Sequence, residues 1–181
     1  MEPRDHVPSE EWATVVRNAP IVSVDLVVRA PVDESASEPG DGVGSGDGGV
    51  DAAGPATAEE GVVLAMRENE PARGEWFVPG GRVRKGERLR EAVHRVAEAE
   101  LGVAVSIERT LGVYEHFYDV ADVPDAGGKH YVPTGYVVRP ETTAFSLDAQ
   151  HSAVRVFAPG DLPDDLHPYT AAYLVDAGVV D

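Results

Sequence analysis

The sequence predicts an α+β domain, a mixed α/β/α sandwich. Two observations carry this prediction. Segments rich in β-branched residues outnumber helical segments, and one long amphipathic helix lies among them at 87–101. Because 181 residues suffice for one core and are short for two, we expect a single domain over residues 1–181.

Short apolar runs mark the expected strands, and helix signals flank them. The strands are expected near 21–29, 61–67, 103–108, 111–118, 130–139 and 153–157. Ser9 is expected to cap a first helix that ends near Pro20, with Glu10 and Glu11 in its first turn. A short helix is expected near 169–177, and Gly102 is placed to end the long helix.

Residues 31–60 differ in composition from the rest of the chain. They contain seven Gly, three Pro and eight acidic residues, with no cation and no aromatic residue. Such a segment buries too little apolar surface to offset its ordering entropy. We expect a disordered insertion that joins two neighbouring strands, as a solvated linker rather than a functional tail.

The net charge and the absence of cysteine exclude several functions. The formal net charge is −17, which disfavours binding to nucleic acid or to anionic membranes. There is no Cys, so thiol catalysis and disulfides are excluded. No apolar run approaches the ~20 residues of a membrane helix, and no signal-peptide pattern opens the chain. We therefore expect a cytoplasmic protein.

The acidic surface has two interpretations. Acidic residues number 32 against 15 Lys and Arg, and Lys85 and Lys129 are the only lysines. An acidic, Lys-poor surface suits a high-salt cytoplasm, where screening weakens self-repulsion, and we favour a halophilic protein on this ground. A solvated acidic surface on an ordinary protein is the alternative.

Glu100 breaks the pattern of the long helix. On a helical wheel Leu89, Val93, Val96 and Ala92 form the apolar stripe, and Glu100 falls in its middle. A carboxylate there is costly unless it is paired or bound to a cation, and the dipole at a helix C-terminus also disfavours it. The pattern favours a metal ligand; a last turn that projects into water is the alternative.

The segment around this helix resembles the Nudix box, G-x5-E-x7-R-E-U-x-E-E-x-G-U with U a bulky aliphatic residue. It reads GGRVRKGERLREAVHRVAEAELGV. Six of the nine specified positions match, namely Gly81, Glu87, Arg95, Glu100, Gly102 and Val103. Val96 and Ala99 replace two Glu of the pattern, and Ala97 fits U weakly. The resemblance implies the Nudix fold, with the box as a loop–helix–loop.

These departures resemble one Nudix subgroup, GDP-mannose mannosyl hydrolase, which lacks the same carboxylates. The segments WATVVRNAPIVSVDLVV, WFVPGGRV, AELG, EHFYDV, HYV and DAQH look like that subgroup in the same order. The resemblance covers most of residues 11–157 except the insertion. It implies hydrolysis of GDP-mannose to GDP and mannose by attack of water at the sugar C1, and a homodimer.

The resemblance also implies a Mg²⁺ site, with Mn²⁺ as an alternative ion. Its ligands would be the Glu100 carboxylate, the Gly80 backbone carbonyl and the Gln150 side-chain oxygen. Mg²⁺ is usually held by few protein oxygens together with water and substrate phosphate, so one carboxylate can suffice. A tight turn alone also explains Gly80, and both roles can hold together.

The catalytic residues implied by the resemblance are Arg67, Arg82 and His151. The two arginines would neutralise the leaving diphosphate, and His151 would be the general base, since imidazole titrates near neutrality. Solvated surface arginines and a structural loop histidine are the alternatives. Ser152 and Ala153 depart from the subgroup, which has acidic residues just after this histidine.

Asp25, His116 and Tyr131 match residues that contact the substrate in the subgroup. Val24 and Leu26 should share one face of the strand, and Asp25 the other, where an exposed side chain is the alternative. Packing is the alternative for His116 and Tyr131. Glu87 and Arg95 are eight residues apart, too far for a pair within the helix, and the resemblance implies that they brace the turn before it.

Two further functions remain open from the sequence. One is a Nudix diphosphatase that cleaves ADP-ribose or another nucleotide sugar at phosphorus, which the missing Glu at 96 and 99 disfavour. The other is a Nudix module that binds a nucleotide sugar without turnover. The retained Glu100, Gln150 and His151 disfavour the binding module.

Overall fold

The computed structural model describes residues 7–32, 59–68, 70–146 and 151–181. They form three helices and one eight-stranded sheet. The helices are α1 (Ser9–Asn18), α2 (Leu89–Leu101) and α3 (Pro168–Ala177). The strands are β1 (Ile21–Pro31), β2 (Glu60–Arg67), β3 (Trp76–Phe77), β4 (Gly80–Arg82), β5 (Val105–Val113), β6 (His116–Tyr118), β7 (Lys129–Pro140) and β8 (His151–Phe157). Within the described ranges, no helix is long and apolar enough to cross a membrane.

Strand β1 organises the sheet. The strand order is β3-β2-β1-β7-β5, and β1 pairs in parallel with β7 and antiparallel with β2. The short strand β4 also pairs with β1, while β6 pairs with β7 and β8 with β2. The short strands β4 and β6 pair with β1 and β7, which are neighbours at the centre of the sheet. The side chains of β4 and β6 therefore lie at one end of the sheet.

The two faces of β1 pack against different helices. Val24, Leu26 and Val28 belong to the core layer that includes α2. Val27 lies in the opposite layer, with Tyr173 of α3. The predicted alternation along the strand and the predicted sandwich are therefore confirmed.

Helix α2 follows its predicted stripe with one exception. Ala92, Val93 and Val96 are buried, and Gly102 ends the helix in the left-handed conformation, with φ 66°. Leu89, however, is 36% exposed. It is the first residue of the helix and precedes the turn that packs on the sheet, so its assignment to the core was wrong.

Glu87 and Arg95 brace the loop before α2, as the resemblance implied. Arg95 donates from Nε to Glu87 Oε1 at 2.6 Å and from Nη2 to Glu87 Oε2 at 2.8 Å. Arg95 also donates to the Arg82 carbonyl at 2.9 Å, and the Arg84 amide donates to Glu87 at 2.8 Å. This set of bonds ties α2 to β4.

Two local predictions were wrong. Ser9 is the first residue of α1 rather than its cap, since Pro8 occupies the cap position without a side-chain bond. The strands predicted at 103–108 and 111–118 are divided differently, because β5 continues through Arg109 and Thr110. Register shifts near both residues let the strand continue against β7 where the sequence pattern indicates an interruption.

The insertion joins paired strands, as predicted. Pro31 pairs with Glu60, so the ladder between β1 and β2 reaches into both ends of the predicted loop. Arg29 forms an ion pair with Glu60 at 3.0 Å beside that pair. Disorder was expected over residues 31–60, and at both ends this expectation was wrong, because Pro31 belongs to β1 and Glu60 to β2. Residues 33–58 lie outside the described residues.

Glu87→Gln should lower the free energy of unfolding near neutral pH by about 1–3 kcal/mol, because Arg95 loses its charged partner. The hydrogen bonds from Arg95 hold the pKa of the Glu87 carboxyl below its ordinary value of 4.5. A lowered folded-state pKa means that the contribution is present above pH 4.5 and lost as the pH falls through the folded-state value. Denaturant unfolding of both proteins across acidic and neutral pH measures the difference.

Glu98→Gln, at an exposed position of α2, the helix that carries Arg95, is the control and should leave the unfolding midpoint unchanged. If the difference in unfolding free energy between Glu87→Gln and the parent chain stays constant down to acidic pH, the stabilising role of the Glu87–Arg95 ion pair is contradicted.

Candidate active site

A cleft of about 840 Å³ opens where β1, β4, α2 and the β6–β7 pair meet. The predicted site residues that line it are Asp25, Arg67, Gly80, Arg82, Glu100, His116 and Tyr131. The structure therefore brings together seven residues from six separate elements.

The two other predicted residues are Gln150 and His151. Gln150 lies outside the described residues, and His151 is described by its backbone. In the antiparallel pair of β2 and β8, His151 is the register partner of Arg67. The backbone thus places His151 beside a residue that lines the cleft.

Gly80 lies between two carboxylates. Its amide donates to Glu100 Oε2 at 3.0 Å. Across the β1–β4 pair its register partner is Asp25. A Cβ at position 80 would overlap Asp25 Oδ1, so only glycine leaves room for this carboxylate.

The position of Glu100 explains why a carboxylate lies in the apolar stripe of α2. It is half-buried and lines the cleft, where it accepts the bond from Gly80 instead of entering the core. Val96 and Ala99 line the same cleft at the positions where the box pattern has glutamate. Among the described lining residues, Glu100 is therefore the one carboxylate that α2 contributes.

Asp25 lies in a buried polar cluster on the α3 side of the sheet. It is 7% exposed, so the alternative of a solvent-facing side chain was wrong. The Tyr173 hydroxyl donates to Asp25 Oδ2 at 2.7 Å. Burial raises the pKa of the Asp25 carboxyl to about 6, although the bond from Tyr173 and the charge of Arg67 act in the opposite direction.

His116 lies in the same cluster. It is 3% exposed, and its Nδ1 is 3.9 Å from Asp25 Oδ2. Burial, with a smaller effect of His167, lowers the pKa of the His116 imidazole to about 4. The ring is therefore neutral near pH 7, with one nitrogen that donates a hydrogen bond and one that accepts.

Several aromatic residues of this cluster were missed by the sequence analysis. Tyr173 and Tyr169 come from α3, His167 precedes that helix, and Tyr118 comes from β6. Tyr169 and Tyr173 are one helical turn apart, which indicates a shared face. Their contact with Asp25 and His116 depends on tertiary structure, which no local pattern indicates.

Cationic side chains are concentrated around the cleft, although the chain as a whole is acidic. Its lining includes six cationic side chains, namely Arg67, Arg73, Arg82, Arg84, Arg95 and Lys129. Five acidic ones face them, namely Asp25, Glu68, Glu70, Glu100 and Asp122. The lining has no net negative charge although the whole chain carries −17, so the cleft is suited to an anionic ligand.

Contacts hold the two predicted arginines at the cleft wall. Arg67 donates from Nε to the Pro71 carbonyl at 2.9 Å, and its guanidinium lies 5.8 Å from the Phe77 ring centroid. The Arg82 guanidinium lies 5.1 Å from the Trp12 ring centroid. Both retain donors for a phosphate, since a guanidinium has five N–H groups.

Tyr131 and Lys129 form a further part of the wall. Tyr131 is the register partner of His116 across the β6–β7 pair. Lys129 is buried and pairs with Asp122 at 2.7 Å, with its ammonium 5.9 Å from the Tyr131 ring centroid. Lys129 and Asp122 were not singled out from the sequence, where they read as ordinary surface charges.

The donor set suits a hard cation only if the ligand and water complete it. Among the described residues no group of three or more His, Asp or Glu could hold a metal ion. The Glu100 carboxylate and the backbone oxygens near Gly80 are the hard donors that Mg²⁺ prefers, and Mg²⁺ commonly keeps several waters. The residues present therefore fit an ion shared with a phosphate ligand, not a closed protein site.

The comparison with known families agrees with the observed fold and with the Nudix box in the sequence. The model of the NUDIX domain matches residues 29–177, and the chain belongs to the Nudix hydrolase family. Nudix hydrolases generally use divalent metal ions. A relative from Haloferax volcanii, the low-salt glycan biosynthesis protein Agl8, is 43% identical over 173 residues, which are 96% of this chain and 92% of the relative.

Solved structures show the same fold. A MutT Nudix hydrolase from Burkholderia pseudomallei superposes with a TM-score of 0.59 at 24% identity, covering 88% of this chain and 98% of that chain. The Nudix domain of Shewanella oneidensis NrtR, solved in complex with ADP ribose, has a TM-score of 0.58 at 17% identity, covering 95% and 97%. At these identities the likeness concerns the fold.

Gly80→Ala should destabilise the protein by about 1–3 kcal/mol, because the added methyl group displaces the buried Asp25 carboxylate. Gly160→Ala is the matched control, since a Cβ at that exposed position meets no atom within 4 Å. Thermal unfolding of the two variants measures the difference. Equal midpoints would show that Asp25 and Gly80 do not compete for this space.

Proposed function

We propose that the chain is a Mg²⁺-dependent hydrolase of a nucleoside diphosphate sugar, most specifically of GDP-mannose. Water attacks C1 of the sugar and GDP leaves with the bonding electron pair. The mannose product has the inverted anomeric configuration. This proposal combines the resemblance of the sequence to the mannosyl hydrolase subgroup with the composition of the cleft.

The observation that carries the proposal is the reduced set of carboxylates on α2. Val96 and Ala99 line the cleft where glutamates of the box pattern would lie, and Glu100 remains beside Gly80. Attack at phosphorus in this family normally uses several carboxylates that hold metal ions. A single carboxylate suits a different task, in which one ion neutralises a diphosphate that leaves intact.

Arg67 and Arg82 would stabilise the leaving diphosphate. Both line the cleft, and both are fixed by neighbouring groups, so little reorganisation is needed when charge develops on the phosphate oxygen. A Mg²⁺ ion held by Glu100, the Gly80 carbonyl and Gln150 would share that charge; Mn²⁺ is the alternative ion. Together these groups make the nucleoside diphosphate a good leaving group.

The sugar would lie against Asp25, His116 and Tyr131. The buried Asp25 carboxylate and the free ring nitrogen of the neutral His116 imidazole offer hydrogen-bond acceptors to sugar hydroxyls. His151 is the proposed general base, since its strand position adjoins Arg67. It would take the proton of the attacking water as the bond from C1 to the β-phosphate oxygen breaks.

The Haloferax relative supports a role with activated sugars. That protein is named for low-salt glycan biosynthesis, and it aligns with 96% of this chain. Glycan synthesis consumes sugars linked to nucleotides, which is the proposed substrate class. The homodimer, the halophilic character and the cytoplasmic location stay predictions.

Hydrolysis of GDP-α-mannose in ¹⁸O-water with Mg²⁺ tests the proposal. The label should appear in free mannose and not in the nucleotide, with GDP as the second product and β-mannose formed first by NMR. Assays at high and low salt, with ADP-ribose and other nucleotide sugars in parallel, define the preferred substrate.

Label in a phosphate, with GMP and mannose 1-phosphate as products, would replace the proposal with a diphosphatase. Tight binding of the nucleotide sugar without turnover in Mg²⁺ would indicate a binding module.

A further inference from the structure

Helix α3 presents two tyrosines to the polar cluster of the cleft. Tyr169 and Tyr173 are four residues apart and therefore lie on one face of the helix. Neither lines the cleft itself, but each contacts a residue that does, Asp25 or His116. The helix thus lies directly behind the part of the cleft assigned to the sugar.

Tyr173 connects the two cleft residues through its hydroxyl. It has no exposed surface, and its hydroxyl donates to Asp25 Oδ2 at 2.7 Å. The same oxygen is 3.4 Å from His116 Nε2. Because a hydroxyl has one proton and gives it to Asp25, its oxygen accepts from His116, which then carries its proton on Nε2.

This connection fixes the orientation of the Asp25 carboxylate. Oδ2 is held by Tyr173, and Oδ1 lies against Gly80, where a Cβ would overlap it. The carboxylate is therefore held from two sides, by a hydroxyl and by a backbone without a side chain.

Tyr169 holds the other member of the pair. Its ring stacks on the His116 ring with centroids 3.9 Å apart and an interplanar angle of 6°. Its hydroxyl accepts from the Phe117 amide at 2.8 Å and donates to the Phe117 carbonyl at 3.0 Å. The ring plane of His116 and the adjacent backbone of β6 are thus fixed by one side chain.

We propose that Tyr173 and Tyr169 are positioning residues, through which α3 holds Asp25 and His116 in the orientation that the sugar requires. The proposal rests on the proposed function, because it assigns these two residues to the sugar of the substrate. Displacing a group that positions the substrate by about 1 Å lowers catalysis, while binding of the nucleotide alone does not depend on the groups that contact the sugar.

The chain offers a matched control on the same helix. The Tyr114 hydroxyl donates to Asp176 Oδ2 at 2.7 Å, the same type of bond at the same length, and its ring packs on Tyr173 with centroids 4.5 Å apart. Neither Tyr114 nor Asp176 lines the cleft. Removing this hydroxyl perturbs the helix without touching Asp25 or His116.

The test compares Tyr173→Phe, Tyr169→Phe and Tyr114→Phe in the full chain. We expect kcat/KM for GDP-mannose to fall about tenfold or more in Tyr173→Phe and about threefold or more in Tyr169→Phe, with GDP affinity unchanged by calorimetry in both. Tyr114→Phe should keep both values. The ¹⁵N resonances of the His116 ring should report the Nε2-protonated form in the parent chain and should shift in Tyr173→Phe alone.

The following results would overturn the proposal that Tyr173 and Tyr169 are positioning residues. Equal kcat/KM in Tyr173→Phe and Tyr114→Phe, or a fall in GDP affinity by the same factor as kcat/KM, would show a merely structural role. If the parent chain turns over no nucleotide sugar, the proposed function fails, and the His116 resonances alone decide whether Tyr173 positions that ring. If Tyr173→Phe does not fold, Tyr169→Phe carries the kinetic comparison, and unchanged kcat/KM there overturns the proposal.

Discussion

The backbone at Gly80 is the constraint on which the cleft depends. Its amide is bonded to Glu100 on one side, and its missing side chain makes room for Asp25 on the other. Glu100 belongs to the helical layer on one face of the sheet, and Asp25 faces the layer on the opposite face. A single glycine in a three-residue strand thus lets two carboxylates from opposite layers approach one cavity.

Two sets of bonds keep this arrangement in place. On the α2 side, Arg95 bonds both Glu87 and the Arg82 carbonyl, so the helix that carries Glu100 is tied to the strand that carries Gly80. On the α3 side, Tyr173 bonds Asp25 inside the core. Both sets use buried or half-buried charged groups, whose bonds are less weakened by salt than surface pairs are.

The sequence predicted those parts of the structure that local patterns encode. Gly102 ends α2, Ala92 and Val93 lie in the core, and Glu100 stands out as a misplaced carboxylate because the helical period is strict. Leu89 was assigned wrongly, because the wheel does not show where a helix begins to contact the sheet. The continuous strand β5 was missed because its register shifts depend on pairing with β7.

The contacts within the buried polar cluster around Asp25 and His116 could not be predicted from one sequence. Asp25 was singled out by the family resemblance, and its contact with Tyr173 comes from α3, which follows it by almost the whole chain. Tyr169, Tyr173 and Lys129 read as ordinary residues in the sequence; the topology brings Lys129 to the cleft and places the two tyrosines behind it, against His116 and Asp25. A family resemblance identifies residues that match a motif, and it leaves out the partners that orient them.

Titration of the chain with Mg²⁺ in the presence of GDP, for Glu100→Gln and for Glu98→Gln, tests the central claim most directly. Glu100 lines the cleft beside Gly80, whereas Glu98 is exposed on the same helix and serves as the matched control. The account predicts that Glu100→Gln loses most of the Mg²⁺-dependent affinity for GDP while its thermal stability holds or rises, and that Glu98→Gln binds like the parent chain. Unchanged Mg²⁺ dependence in Glu100→Gln would contradict the account.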